Sequence, residues 1–511
     1  MKSASTSQIY GATRHRRSTQ PMNATLPPAD LPPQLDAPLT RTPGAPSLQR
    51  QLLRRLRDAI LGGAMPAGSR LPGTRALADT LGISRNTVTA VYEQLVAEGF
   101  LQSDRRGTRV VGPTRRTEPR PRAAPPAVAQ RLGRIRPSRI VGTAEFEGFR
   151  PGVPALAHFP VDAWRHAVDR ALRHAGRALL GYGDPLGEPA LRESIARHLA
   201  VTRGVRCDPE QIVMTEGAQG AIALCLQLVT NPGDTVWVEE PGYRGARTAM
   251  QAGDLDVVPM PVDAEGLRAD ADDWRERTPR VVYTTPSNQF PTGAVLSISR
   301  RLALIDAARR HRAWIIEDDY DSEFRHTGEP IGAMQGLAPD SPVVYVGSFS
   351  KTMFPALRIG FVVLPEALLA AVRTVLPELL RGGARHVQLA LADFIEKGEY
   401  GRHLGRMRRL YRDRRLALLA ALDSALSVPH RVEGGPCGLH LTLRLPPRYA
   451  DRALVDAARA HGIGPFALSG FSLHAQTPHN GLVLGFGNTS ADAFEPMLRT
   501  LSALANRLGG P

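Results

Sequence analysis

The densest chemistry in the sequence surrounds one lysine. In VVYVGSFSKTMFPALRIGF, residues 343–361, an apolar strand is expected to end by delivering Ser348, Ser350 and Lys351, with Arg358 seven residues beyond the lysine. A lysine amine that is partly buried beside other cations loses its proton more readily and then attacks a carbonyl carbon, giving a Schiff base. Ser348 offers a hydroxyl to a phosphate, and Arg358 offers paired N–H donors.

Three further segments supply what a carbonyl compound held there would need. In VMTEGAQGAIAL a strand ends at Met214 and a helix starts near Ala218, so the amides of Gly217, Ala218 and Gln219 face an anion. Tyr243, in EEPGY, can lie flat on a planar ring. In VVYTTPSNQFPTG, Asn288 falls at a strand end, where open α/β sheets carry ligand contacts. In AWIIEDDYDSEF a buried strand ends in acids. There Asp318 can keep a pyridine nitrogen protonated, making the ring an electron sink, and Tyr320 can donate to a phenolic oxygen. Taken singly, each has a plain explanation: a surface lysine, any strand-turn-helix, a core aromatic, a solvated acidic turn or a metal ligand. Together they describe a site for a phosphorylated pyridine aldehyde, pyridoxal 5′-phosphate (PLP), attached to Lys351.

These groups must be positioned by a sheet. From about Phe146 to the C-terminus, helical and apolar-strand patterns alternate, as in an α/β domain. Upstream the chain is organised differently. Residues 1–46 are rich in Pro, Thr, Ser and Ala and read as a disordered tail. Residues 113–145, Pro- and Arg-rich, read as an extended linker.

Residues 47–112 read as a helix-turn-helix with a wing. Ser47 is placed to cap a helix whose apolar face is Leu48, Leu52, Leu56, Ala59 and Ile60, stopped by Gly62-Gly63. Leu77, Ala78 and Leu81 mark a short second helix. Gly82 permits a tight turn, and Ser84 can cap a third helix that buries Val88, Val91, Tyr92 and Leu95. This recognition helix begins near Arg85 and exposes Arg85, Asn86 and Thr87, then Thr89, at the end that enters a major groove. Arg matches the guanine edge and Asn the adenine edge. FLQSDRRGTRVV reads as a hairpin with a basic tip around Arg106 and Gly107.

The net charge of +15 over 511 residues suits a polyanionic partner. Three cysteines, Cys207, Cys225 and Cys437, make neither a metal cluster nor a disulfide framework, so no metal is expected and a reducing cytoplasm is. No long apolar run predicts a membrane span, and the N-terminus lacks the apolar core of a secretory signal.

AGSRLPGTRALADTLGISRNTVTAVYEQLVAEGFL resembles the winged-helix domain of the GntR family over its full length. That resemblance implies contacts to double-stranded DNA from Arg75, Arg85 and the wing glycine Gly107. FRPGVPALAHFP, GYGDPLGEPALRESIARHLAVTRGVRC and IEDDYDSEFR resemble the MocR/GabR branch, in which a GntR domain is fused to a class I aminotransferase-like domain. The implied architecture is a multidomain chain: a winged helix-turn-helix, then fold type I, with a mostly parallel central sheet and a smaller C-terminal α+β subdomain in residues 146–511. The branch also implies a homodimer, PLP on Lys351, ring-nitrogen pairing at Asp318 and ring-oxygen contact at Tyr320. It further implies phosphate contacts from Ser348 and Arg358, stacking on Tyr243, and Tyr182 reaching the partner's cofactor. One departure is visible: aminotransferases hold the substrate carboxylate with a late arginine, and Val483, in NGLVLGFGN, stands there. Arg244, Arg247 and Arg385 are candidate substitutes. The expected function is a PLP-dependent transcription regulator sensing an amine, an amino acid or PLP. The alternative is a working aminotransferase carrying a DNA-binding domain, and a third reading is a DNA-binding protein with a degenerate domain lacking PLP.

Overall fold

A computed structural model describes residues 38–111, 127–135, 147–435, 437–473 and 479–509. Most of the expected tail (1–37), and linker residues 113–126 and 136–145, lie outside the described residues. The chain divides into two compact units, one ending at Ala127 and one from Val128 onward.

The first unit contains α1 (Leu48–Leu61), α2 (Thr74–Leu81), α3 (Arg85–Ala97) and the antiparallel pair β1 (Leu101–Asp104) and β2 (Gly107–Val110). The capping residues act as their types require. Ser47 accepts from Arg50 N at 3.3 Å and Ser84 from Thr87 N at 3.1 Å, each satisfying an amide that a helix start leaves open. Gly82 closes α2 in the left-handed region (φ 62°), where a side chain would be strained. Leu52, Leu56, Val88, Val91 and Leu95 are fully buried in one core, each worth roughly 2 kcal/mol of burial. Packing reaches upstream of Ser47. Leu39 is buried in the same core, and Thr40 and Gln51 exchange hydrogen bonds at 2.9 and 2.8 Å.

The second unit carries β3 (Ile212–Thr215), β4 (Thr235–Glu240), β5 (Asp256–Asp263), β6 (Gly266–Leu267), β7 (Val281–Thr284), β8 (Trp314–Asp319), β9 (Val343–Ser348) and β10 (Gly360–Val363). They form one eight-stranded sheet in the order β3-β10-β9-β8-β7-β4-β5-β6. β9, β8, β7, β4 and β5 pair in parallel, and β10 runs antiparallel between β3 and β9. β7 and β10 are buried along their whole length and β9 up to its last residue, the pattern of a sheet covered on both faces. A four-stranded antiparallel sheet follows, in the order β11 (Arg431–Glu433), β12 (His440–Arg444), β14 (Gly481–Gly485) and β13 (Phe466–Ala467). Of the linker, Gln130–Arg134 forms a short 3-10 turn whose Arg134 pairs with Asp254 at 2.8 Å.

Candidate cofactor site and nucleic-acid interface

The parallel strands end level with one another, so the loops after β3, β4, β7, β8 and β9 meet at one edge. Register places Gly360 of β10 opposite both Thr215 of β3 and Ser348 of β9, and Asp318 opposite Val346. Asp318 is 4 % exposed. Its Oδ2 accepts a 2.5 Å hydrogen bond from the Tyr283 hydroxyl, while Oδ1 is buried with no hydrogen-bond partner among the described residues. Burial pushes this carboxyl up to about 7, against the pull of the Tyr283 bond and of the Lys351 charge. An acid kept this dry, with one lone oxygen, fits a protonated ring nitrogen.

Lys351 Nζ donates to the carbonyl of Gly152 at 2.5 Å. A Cβ on Gly152 would stand 2.9 Å from that amine, and its φ of +76° also favours glycine. Asn288 and Tyr320 form one unit. The Tyr320 hydroxyl donates to the Asn288 carbonyl at 2.9 Å, and Asn288 Nδ2 reaches both the hydroxyl and Asp321, each at 3.0 Å. Burial pushes Asp321 up to about 8 and Tyr243 up to about 12.

The residues expected to cradle an anion lie near one another. Gly217 begins α4 (Gly217–Val229), which has no side-chain cap, so its first amides remain open to a ligand. Arg358, itself at φ 53°, donates to Glu216 O at 2.9 Å, and a Cβ on Gly217 would lie 3.4 Å from its Nη1. Ser348 ends β9 beside this loop. Gln219 lies in the first turn of the same helix, and its side-chain Nε2 donates to Gly245 O at 2.9 Å, next to Tyr243, at the start of α5 (Arg244–Ala252).

Tyr182 and Val483 have other surroundings. Tyr182 is 96 % exposed. Val483 is fully buried on β14 in a cluster with Leu468 and Phe471, against which Phe290 packs. The Phe290 ring also meets those of Tyr243 (6.2 Å), Tyr320 (5.9 Å) and His440 (5.1 Å), so an aromatic layer occupies the ground between the cofactor residues and position 483. Of the candidate substitutes, Arg247 reaches Phe471 O at 3.4 Å, and Arg385 is bound to Glu188 and to backbone carbonyls.

In the winged-helix unit, Arg75, Arg85, Asn86 and Arg106 are exposed, and Thr87 and Thr89 are half-buried. Arg85 opens α3, its Nε 3.5 Å from the Thr74 hydroxyl. Thr87 is the least free of the set, its hydroxyl 2.8 Å from that of Ser84. The hairpin tip is shaped by Asp104, which accepts from Arg106 N at 2.7 Å and pairs with Arg109, and by Gly107 at φ 119°.

Comparison with known proteins reads both units together. Residues 48–110 match the model of the bacterial regulatory proteins of the gntR family, and residues 149–462 match aminotransferase class I and II. The probable rhizopine catabolism regulatory protein MocR of Rhizobium meliloti is 37% identical over 86% of this chain and 90% of its own length. The chain belongs to the MocR subfamily of GntR regulators. The pyridoxine biosynthesis transcriptional regulator PdxR of Corynebacterium glutamicum is 31% identical over 91% of this chain and 98% of its own. Among solved structures, the α-aminoadipate aminotransferase LysN of Thermus thermophilus, complexed with N-(5′-phosphopyridoxyl)-L-leucine, is 27% identical. It has a TM-score of 0.65 and covers 75% of this chain and 97% of that one.

This MocR-subfamily protein is therefore a DNA-binding transcription regulator with an aminotransferase-like domain of fold type I. Three of its site residues escape sequence reading. Tyr283 sits within an apolar strand, where a tyrosine looks like core. Its signal was the need of any buried hydroxyl for a partner. Gly152 contributes only a carbonyl. Phe290 lies inside the quoted loop, but its role depends on the far sheet and had no local signal.

Proposed function

We propose that this regulator binds PLP covalently through Lys351 and converts the arrival of an amine, an amino acid or PLP itself into a change in promoter binding. The observation that carries the reading is the lone buried oxygen of Asp318 beside a lysine amine and an uncapped helix start. When bound, PLP supplies an aldehyde that combines with amines and a ring that withdraws electrons. The chain's own residues do the rest. Gly152 O orients the Lys351 amine in the site. Asp318 holds a proton on the ring nitrogen, with Tyr283 fixing the carboxylate. The amides of Gly217, Ala218 and Gln219, with Ser348 and Arg358, would take the phosphate. Tyr243 covers the ring, while Asn288 and Tyr320 attend its oxygen. In a homodimer Tyr182 would reach the partner's site.

Regulation follows from differential affinity: an effector that binds one arrangement of the domains more tightly shifts the population toward it. The relatives' names point to different pathways, rhizopine catabolism and pyridoxine biosynthesis, so effector choice rests on the pocket. Phe290 and Val483 favour PLP or an amine without an α-carboxylate clamped at position 483. The DNA side is carried by Arg75, Arg85, Asn86, Thr87, Thr89, Arg106 and Gly107, and a regulator of this kind works in the cytoplasm.

The competing reading, a working aminotransferase, is favoured by the complete set of cofactor groups. Titrating the purified protein with amines and with PLP separates the two, following absorbance and operator binding together. Regulation predicts a spectral change and altered operator affinity without steady keto-acid release. Sustained turnover with no change in DNA binding would contradict it.

A further inference from the structure

The segment that carries Tyr182 is tied down on both sides of it by one side chain. Upstream of Tyr182, Arg385 Nη1 donates to the carbonyls of Ala178 (2.6 Å) and Gly181 (3.1 Å). Downstream, its Nε donates to Glu188 Oε1 at 2.5 Å, and Glu188 is only 6 % exposed. The guanidinium passes so close to Gly183 that a Cβ there would lie 2.5 Å from Nε and 2.7 Å from the Glu188 carboxylate. The downstream half is rigid by itself. Leu186 N and Arg192 both bind the Asp184 carboxylate (2.8 and 2.6 Å), and Glu188 N donates to Gln388 at 2.8 Å. The upstream half, a short 3-10 turn ending at Leu180, is joined to that rigid half through Arg385. Between the two anchors Tyr182 and Leu180 project outward, 96 % and 86 % exposed. The anchored loop thus offers an exposed tyrosine from a fixed place.

We propose that Arg385 is a positioning residue for the cofactor site of the neighbouring subunit: with Glu188 and Gly183 it fixes the loop that presents Tyr182 to a second copy of this chain. This rests on the reading that PLP binds at Lys351. It also explains why Arg385 does not replace the missing arginine at position 483: all of its observed bonds face the loop.

A mixed dimer tests the proposal. Arg385→Ala should retain PLP about tenfold more weakly than wild type, the loss of about one well-placed contact. Arg385→Lys, which can keep the Glu188 pair but not both carbonyls, should fall between. Lys351→Ala carries an intact loop but no anchoring amine. Co-expressed with two tags and purified through both, Arg385→Ala with Lys351→Ala yields dimers in which one site pairs a native Lys351 with a native loop from the other chain. That site should bind PLP with wild-type affinity, at half the wild-type amount, by absorbance and equilibrium dialysis. Tyr182→Ala, at an exposed position that cannot disturb the core, should show the same loss and the same rescue, and adding Arg385→Ala to it should weaken binding no further. A mixed dimer as weak as the Arg385→Ala homodimer would overturn the proposal while leaving PLP binding intact. A wild-type protein that takes up no PLP would overturn both.

Discussion

The hydroxyl of Tyr283 on β7 donates to Oδ2 of Asp318 on the adjacent strand β8 at 2.5 Å, and it leaves Oδ1 of that buried carboxylate without a hydrogen-bond partner among the described residues. This pairing keeps one oxygen oriented and the other available. It ties the sheet itself to the chemistry of the ring nitrogen. Tyr283→Phe removes the orienting bond without removing the ring. It should weaken PLP binding by roughly 1.5–3 kcal/mol, as for a hydrogen bond to a charged group, with a shift of the bound cofactor's absorbance. Equilibrium dialysis and a visible spectrum measure both; an unchanged affinity would show that the bond is structural only.

Asp318 also sets a pH dependence. Its carboxyl is raised from the ordinary range near 4 to about 7 by burial in the PLP-free protein. A group whose folded value lies above its unfolded one stabilises the fold below the unfolded value and loses that contribution as pH rises through the folded one. The PLP-free Asp318→Asn variant should therefore gain stability over PLP-free wild type progressively from about pH 4 to about pH 7. Urea unfolding at several pH values should show a widening gap in midpoint; parallel curves would remove the burial argument. With PLP bound the gap should reverse, because Asn cannot balance a protonated ring nitrogen.

Gly217→Ala tests the anion cradle. The position has φ +72°, where a side chain is strained, and a Cβ would lie in contact with the Arg358 guanidinium, 3.4 Å from its Nη1. The expected outcome is at least tenfold weaker PLP binding with little change in the affinity of pyridoxal, which lacks the phosphate. Equal losses for both compounds would place the phosphate elsewhere.

On DNA, Arg85→Ala should reduce affinity for the operator far more than for random sequence, by about 1–3 kcal/mol if Arg85 reads a base edge. Arg106→Ala, at the wing tip, should weaken both equally and lower the salt dependence of binding by about one charge. Fluorescence anisotropy at several salt concentrations distinguishes these; a uniform loss for Arg85→Ala would reassign it to the phosphate backbone.

Much of this was legible in the sequence because the relevant signals are local. Ser84 before an apolar helical face places the start of α3 at Arg85, and strand endings place Lys351, Asp318 and Ser348 at one edge of a parallel sheet. What was not legible depends on pairing between distant segments. Tyr283 meets Asp318 through strand register, and Phe290 covers Val483 through the contact of two sheets. Arg385 looked like one more arginine, available for a substrate, until Glu188 and two carbonyls claimed it. Leu39 lies in a stretch whose prolines argue for disorder, and its burial comes from a core formed by residues downstream.

The central claim is the attachment of PLP to one amine, and chemical trapping reads it most directly. Purified full-length protein is incubated with PLP, reduced with borohydride, digested and mapped by mass spectrometry. The account predicts a phosphopyridoxyl mass on Lys351, absent from the Lys351→Ala variant. Label found on Lys2, Lys397 or the N-terminal amine, with Lys351 unmodified, would contradict it.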